Sequence, residues 1–309
     1  MSLKILFMGT PNFAVPILKK IYQSNNEIIE VYTQPPKKKN RGQKISLSPV
    51  HQYSNEIDIP VRHPSSLNTE REFEHIKKIK PDVTIVVAYG KILPKKILDL
   101  KKTIFINIHA SLLPKWRGAA PIQRAIMNCD TETGISIMKI IPELDAGPVL
   151  LKSKIKINKE TNYKELSDEM SKLGSKLILE ALDLIKNDKA IFDSQNDKEA
   201  TYAKKIEKFE SKINWNLKAK TLVAKVNAFF PNPGSWFEIK GIRIKIIKAI
   251  EVKGKGAPGE VINENFTIAC SQNALQVLEL QKEGKKKITA TEYLKGNKLK
   301  IGSNILTDV

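Results

Sequence analysis

The sequence is poor in cysteine, arginine and acidic residues, and it has no long apolar run. Cys129 and Cys270 are its only thiols, far apart and in neither a CxxC nor a zinc-ligand spacing. That excludes a disulfide scaffold, a vicinal redox pair and a cysteine-based metal site. No apolar stretch approaches the roughly 18–20 residues needed to span a bilayer, so no membrane helix is expected. Met1-Ser2-Leu3-Lys4 leads straight into a short apolar strand, without an extended apolar region or a small-residue cleavage site, and no secretory signal is expected either. Glycine (15) and proline (16) are a small share of 309 residues and hydrophobic residues make up 41%, which excludes collagen-like and disordered chains. The expectation is a reduced, cytoplasmic protein of about two domains.

The acidic shortfall is large: 33 Asp and Glu stand against 52 Lys and Arg, a formal charge of +19. Only six of the basic residues are arginine, and lysine, isoleucine and asparagine abound. Codon bias would account for the choice of lysine. It would favour glutamate as well, so it leaves the surplus unexplained. The surplus is also uneven, with 20 basic and 10 acidic residues in 204–309 against 32 and 23 in 1–203. A polyanionic partner, nucleic acid, is favoured over a merely soluble surface.

Strands and helices alternate in the first half. Residues 3–8 form an apolar strand ending at Gly9, and Thr10-Pro11 supplies an N-cap and a first-turn proline for a helix over 14–22. Residues 27–32, 83–88 and 104–108 are further strands rich in Ile and Val. This alternation predicts a parallel sheet covered on both faces. Residues 135–141 and 149–157 form an extended pair about a turn at 142–148. A long helix then opens at Asn162, with Glu165 three positions on in a capping-box pattern. Residues 188–202 are polar and aperiodic, as in a linker. Beyond them come one helical stretch over 217–229 and strands at 236–239, 242–250, 259–262, 266–270 and 275–280, a pattern that predicts a small β-barrel.

Of four histidines, His51, His63 and His75 fall in polar or loop-like stretches and read as surface residues. His109 directly follows the apolar strand at 104–108, and Asn107 precedes it by two positions. On a strand these two side chains share one face. In open parallel sheets, ligands bind beyond the carboxyl ends of the strands. From spacing alone, a histidine merely satisfied by hydrogen bonds at a strand end fits equally well.

The run that follows narrows the choice. Asn107-Ile108-His109-Ala110-Ser111-Leu112-Leu113-Pro114-Lys115-Trp116-Arg117-Gly118-Ala119-Ala120-Pro121-Ile122-Gln123 closely resembles the central motif of the folate-dependent formyltransferases. Gly9-Thr10-Pro11-Asn12-Phe13-Ala14, Thr33-Gln34-Pro35, Arg41-Gly42, Ser48-Pro49-Val50, Ala88-Tyr89-Gly90-Lys91-Ile92-Leu93-Pro94, Leu144-Asp145-Ala146-Gly147 and Pro231-Asn232-Pro233-Gly234-Ser235-Trp236 extend the resemblance across nearly the whole chain. Two positions depart from it. Asn232 stands where a tryptophan is usual, and Lys115 where arginine is common, which keeps the charge but loses the planar fork.

The resemblance implies an α/β fold: a Rossmann-like formyltransferase domain with a mostly parallel sheet over 1–188, a linker over 189–204, and a small OB-like β-barrel that binds tRNA over 205–309. It implies transfer of a formyl group from 10-formyltetrahydrofolate to the amine of initiator methionyl-tRNA by a cytoplasmic, monomeric enzyme that needs no metal. Asn107, His109 and Asp145 would be the catalytic trio. Asn107 and His109 would donate to the developing oxyanion, and Asp145 would support His109 and relay the amine's proton through a water. The folate would lie against Ser111, Leu112, Leu113 and Pro114, and against backbone near Ile92 and Leu93. The basic segment at 34–49 carries Lys37, Lys38, Lys39, Arg41 and Lys44 and on charge alone reads as a solvated loop. By resemblance it contacts the acceptor end of the tRNA, with Arg41 at the key arginine's position and Lys38, Lys39 and Lys44 beside it.

Nicotinamide dinucleotide is a poor alternative, because Gly9-Thr10-Pro11-Asn12 does not match GxGxxG. A formyltransferase acting on an amino-sugar nucleotide or a purine precursor would need neither the basic loop nor the basic C-terminal region. A noncatalytic RNA-binding protein would not need the trio.

Overall fold

The first sheet is built from strands that are almost wholly apolar, because both of its faces are covered. In the computed structural model, which describes residues 2–39 and 44–307, they are β1 (Lys4–Gly9), β2 (Glu27–Tyr32), β5 (Val61–Arg62), β6 (Val83–Val87), β7 (Ile104–His109), β9 (Glu132–Lys139) and β10 (Val149–Lys156); apart from this sheet, β3 (Lys37–Lys39) pairs with β4 (Lys44–Ser46) and the two-residue β8 (Arg117–Gly118) with the two-residue β11 (Tyr202–Ala203). The main sheet runs β10-β9-β7-β6-β1-β2-β5. From β5 to β7 every pairing is parallel, and β9 is antiparallel to β7. The mostly parallel sheet expected from the alternation is therefore present, with an antiparallel margin. Its order reverses at β1, which has β2 on one side and β6 on the other, so the loops after β1 and β6 flank a crevice at their carboxyl ends.

Short signals in the sequence start the helices around this sheet. Pro49 opens α2 (Pro49–Glu56) after α1 (Val15–Tyr22), and the Ser48 hydroxyl accepts the His51 N–H. Thr69 caps α3 (Glu70–Ile79) by accepting the Glu72 N–H, and α4 (Lys95–Leu98) and α5 (Pro121–Met127) follow. The capping box expected at Asn162 opens α6 (Tyr163–Lys186). The Asn162 N–H donates to Glu165 Oε2 at 3.2 Å, and the Glu165 N–H donates to Asn162 Oδ1 at 3.1 Å. The segment expected as a basic loop is in part paired: β3 and β4 form an antiparallel hairpin that carries the backbone of Lys38, Lys39 and Lys44. Arg41 lies outside the described residues.

Met1–Gly118, Thr133–Ile155 and Ser167–Ala203 form one compact unit, and Ala119–Glu132, Lys156–Leu166 and Lys204–Val309 form another. In the second, α7 (Ala219–Phe229) packs against α5 and against an antiparallel sheet of β12 (Ser235–Ile239), β13 (Ile242–Val252), β14 (Val261–Asn263), β15 (Thr267–Ala269), β16 (Ala274–Lys282) and β17 (Lys287–Thr289), which α8 (Ala290–Gly296) follows. The order is β12-β13-β16-β15-β14, with β17 beside the far end of β16. Among the described residues this path is open, so the strands show an antiparallel sheet rather than a closed barrel. Trp215, Phe237, Phe266 and Tyr293 form a chain of ring contacts through the core of this unit.

Arg124 on α5 ties the start of this unit together. Its guanidinium donates to both Glu210 carboxylate oxygens, at 2.6 and 2.9 Å, and to the carbonyls of Lys204 and Lys205. Chiefly the hydrogen bonds from Arg124 hold the Glu210 carboxyl below its usual range. A carboxyl depressed in the folded state contributes stability above its unfolded value, about 4.3, and loses it as pH falls through the folded value. Glu210→Gln is therefore expected to unfold at lower urea than the parent chain at pH 7, with the gap shrinking below about pH 4. A gap of equal size at pH 7 and pH 3 would exclude this linkage.

Candidate active site

The alternation of β7 brings Asn107 and His109 out on one face at its carboxyl end. Pairing with β6 on one side and β9 on the other fixes that end in place. His109 is 6% exposed, and its Nε2–H donates to the Trp116 carbonyl at 2.9 Å, which sets the plane of the ring. Its Nδ1 faces Asp145 Oδ2 at 3.6 Å, close enough for charge interaction and beyond hydrogen-bond range.

Asp145 comes from the turn between β9 and β10; the end of β9 lies beside the start of β7, and the turn folds back so that Asp145 meets Asn107 and His109 at the carboxyl end of β7. Its carboxylate accepts the Gly118 N–H at 2.8 Å on Oδ2 and a longer contact from Asn107 Nδ2 at 3.4 Å on Oδ1. The trio expected from the sequence is therefore assembled: a carboxamide donor, an imidazole and a carboxylate converge at one strand end.

The chain after His109 is held from below. The Ser111 hydroxyl donates to the Lys115 carbonyl, Ser136 Oγ donates to the Ser111 carbonyl, and the Leu113 N–H donates to Ser136 Oγ. Lys152 Nζ caps the Leu113 carbonyl at 2.5 Å. The Ser111 and Leu113 side chains are buried, while Leu112 and Pro114 are half-buried. Ile92 and Leu93 lie after the neighbouring strand β6 and point apart, Ile92 at 89% exposure and Leu93 into the core. The Tyr89 carbonyl at that strand end accepts from Thr10 Oγ1 and Gln34 Nε2, which ties the loops after β1, β2 and β6 together.

Three further groups act here: Arg117 and Gly118 lie within the resembled run with no role assigned to them there, and Gln195 carries no sequence signal. The Gly118 amide acts through its backbone. Arg117 is 4% exposed and donates to Gln195 Oε1 and Asp197 Oδ1. Gln195, from the polar segment that reads as a linker, reaches the carbonyls of the Asp145 turn. The same segment adds β11 to β8 in parallel.

The chain matches the formyl transferase family over residues 3–182 and its C-terminal domain over 205–298. It is 48% identical to the methionyl-tRNA formyltransferase of Pelagibacter ubique over 307 residues, 99% of each chain. Its fold is that of an N-formyltransferase from Helicobacter canadensis solved with folinic acid and dTDP-3-aminofucose (TM-score 0.67, 21% identical, 91% of this chain and 100% of that one). It also spans about half of HypX from Aquifex aeolicus, solved with tetrahydrofolic acid (TM-score 0.63, 19% identical, 95% of this chain and 47% of that one). The 48% identity over nearly the full length, together with both domain matches, shows that the chain belongs to the formyl transferase family and, within it, to the methionyl-tRNA formyltransferases.

Proposed function

We propose that this protein transfers a formyl group from 10-formyltetrahydrofolate to the methionine amine of initiator methionyl-tRNA, in the cytoplasm. The observation that carries the chemistry is the convergence of Asn107, His109 and Asp145 at the end of β7. The formyl carbon moves from a folate nitrogen to an amine. Asn107 donates its Nδ2–H to the formyl oxygen as that oxygen gains charge, and His109 adds a second donor. Asp145, held by the Gly118 N–H, faces His109 and accepts the amine's proton through a water, and that proton passes on to the folate nitrogen as its bond to the formyl carbon breaks.

A flat pterin needs an apolar surface beside backbone donors and acceptors. The loop carrying Ile92 and Leu93 and the run Ser111–Leu112–Leu113–Pro114 follow β6 and β7 at their carboxyl ends. Ser111 and Leu113 are turned inward and shape the loop against which the folate lies, while Ile92, Leu112 and Pro114 offer apolar surface.

The tRNA contacts fall to two basic regions. One is the segment at 34–49, with Arg41, Lys38, Lys39 and Lys44 as its contacts to the acceptor end. The other is 205–309, read as an OB-like domain beyond the 189–204 linker. Its β16 shares one edge between β15 and β17, and Arg243 stacks on Trp236 at 3.9 Å from the ring centroid. Lysine and arginine there supply affinity and salt dependence rather than sequence reading.

The test is formylation of initiator and elongator methionyl-tRNA by the parent chain and by Arg41→Ala. The parent chain is expected to prefer the initiator. Arg41→Ala is expected to lose about tenfold or more in kcat/KM for the initiator, with the KM for the folate within about twofold. No formylmethionine from the parent chain would refute the function. An unchanged preference in the variant would refute the role of Arg41.

A further inference from the structure

We propose that Gln195 is a positioning residue for Asp145, acting on the backbone of its turn; this rests on the reading of Asp145 as part of the reacting site. The Gln195 amide is fully committed. Its Nε2 donates to the Asp145 carbonyl at 2.8 Å and to the Gly147 carbonyl at 2.7 Å, bracketing Ala146. Its Oε1 accepts from Arg117 Nε at 3.1 Å and Nη2 at 2.9 Å. Turning the amide over would set oxygen against two carbonyls and an NH2 against a guanidinium, so its neighbours fix its orientation.

Arg117 closes the arrangement into a ring. Its side chain grips Gln195, and the next residue, Gly118, donates its N–H to the Asp145 carboxylate. Asp145 is thus held at both ends, backbone by Gln195 and carboxylate by Gly118, and the two holds are joined through Arg117. The turn needs such support, because Asp145 has φ +49°, a left-handed conformation that a non-glycine residue keeps only when its surroundings enforce it. Nη2 of Arg117 also pairs with Asp197 Oδ1 at 2.7 Å, which anchors the strap that carries Gln195. Among the described residues, the hydrogen bonds of the Gln195 side chain go to Arg117, Asp145 and Gly147 and to neither Asn107 nor His109; its effect runs through where Asp145 sits.

The experiment is a double-mutant cycle. Gln195→Ala and Gln195→Met, the second keeping side-chain volume, are made alone and with Asp145→Asn. Rates are counted per folate site titrated with tetrahydrofolate, so that unfolded protein drops out. Alone, each Gln195 variant is expected to lower kcat by about 10- to 100-fold with both KM values within about twofold, as expected for a misplaced group. Combined with Asp145→Asn, the further loss is expected to stay below about threefold, because the two changes remove one function. Gln195 variants at the parent kcat, or losing the same factor again on top of Asp145→Asn, would overturn the positioning role. Asp145→Asn at the parent kcat would instead overturn the reading of Asp145.

Discussion

Replacing His109 with alanine is expected to lower kcat by about 10²–10³, with the KM for folate and for tRNA changed by less than about threefold. The factor follows from what the side chain does. His109 is buried, its ring plane is set by the Trp116 carbonyl, and its second nitrogen faces the Asp145 carboxylate. With the ring held through Nε2, and with Nδ1 beyond hydrogen-bond range of Asp145, Nδ1 is the nitrogen left to meet the formyl oxygen. A ring already fixed in place spends little reorganisation energy as that oxygen gains charge. Removing it leaves substrate binding, which relies on other surfaces, largely intact. Asn107→Ala is expected to fall by a similar factor. The double variant should lose less than the product of the two, because both donors serve one oxygen. Steady-state kinetics on the three variants decide the matter, and a His109→Ala enzyme within about fivefold of the parent kcat would remove the histidine from the chemistry.

Gly147→Ala is expected to be as damaging through a different route. A Cβ at Gly147 would lie 1.8 Å from the Lys139 carbonyl oxygen, a backbone atom that cannot swing aside. The turn between β9 and β10 must then move, and with it Asp145. A displacement of about 1 Å at a reacting group costs on the order of 10² in rate, and overpacking at a rigid contact costs about 1–3 kcal/mol of stability. Gly296→Ala is the control, since a Cβ there meets nothing within 4 Å. Thermal melts and kcat for the two variants should diverge sharply. A Gly147→Ala protein with parent melting temperature and rate would mean that the turn has room the geometry denies it.

The frame around the site is legible in the sequence because its signals are local. The parallel strands are short apolar runs, β2 spans the same residues that its Ile-Val pattern marks, and Asn162 with Glu165 announces α6 by the chemistry of its first turn. Other elements hide for physical reasons. α3 presents only three apolar residues, Phe73, Ile76 and Ile79, so its start rests on one threonine cap. β3 and β4 are lysine-rich at a stretch where charge masks the pairing of the backbone. His75, in a polar stretch, sits on α3 and pairs with Glu30 at 2.7 Å, a contact 45 residues away in sequence.

The site divides in the same way. Asn107 and His109 are legible as a strand-end pair by period alone. Asp145 becomes meaningful only once its turn is brought beside them. Gln195 is invisible in one dimension: a glutamine in a polar, aperiodic segment has no pattern, and its role comes from four hydrogen bonds to residues about 50 and 80 positions away. Of the basic residues in 204–309, Arg243 on β13 and Lys212 ahead of α7 both lie over the ring of Trp236.

The most direct measurement offers one donor, 10-formyltetrahydrofolate, to three acceptors in parallel: initiator methionyl-tRNA, elongator methionyl-tRNA and a nucleotide-linked amino sugar. Formyl product on each is quantified by mass spectrometry, with kcat/KM from the initial rates. The initiator tRNA is predicted to exceed the elongator by at least about tenfold, with no detectable product on the sugar. Formylation of the sugar nucleotide at a kcat/KM equal to or above that of the initiator tRNA would contradict the proposed function.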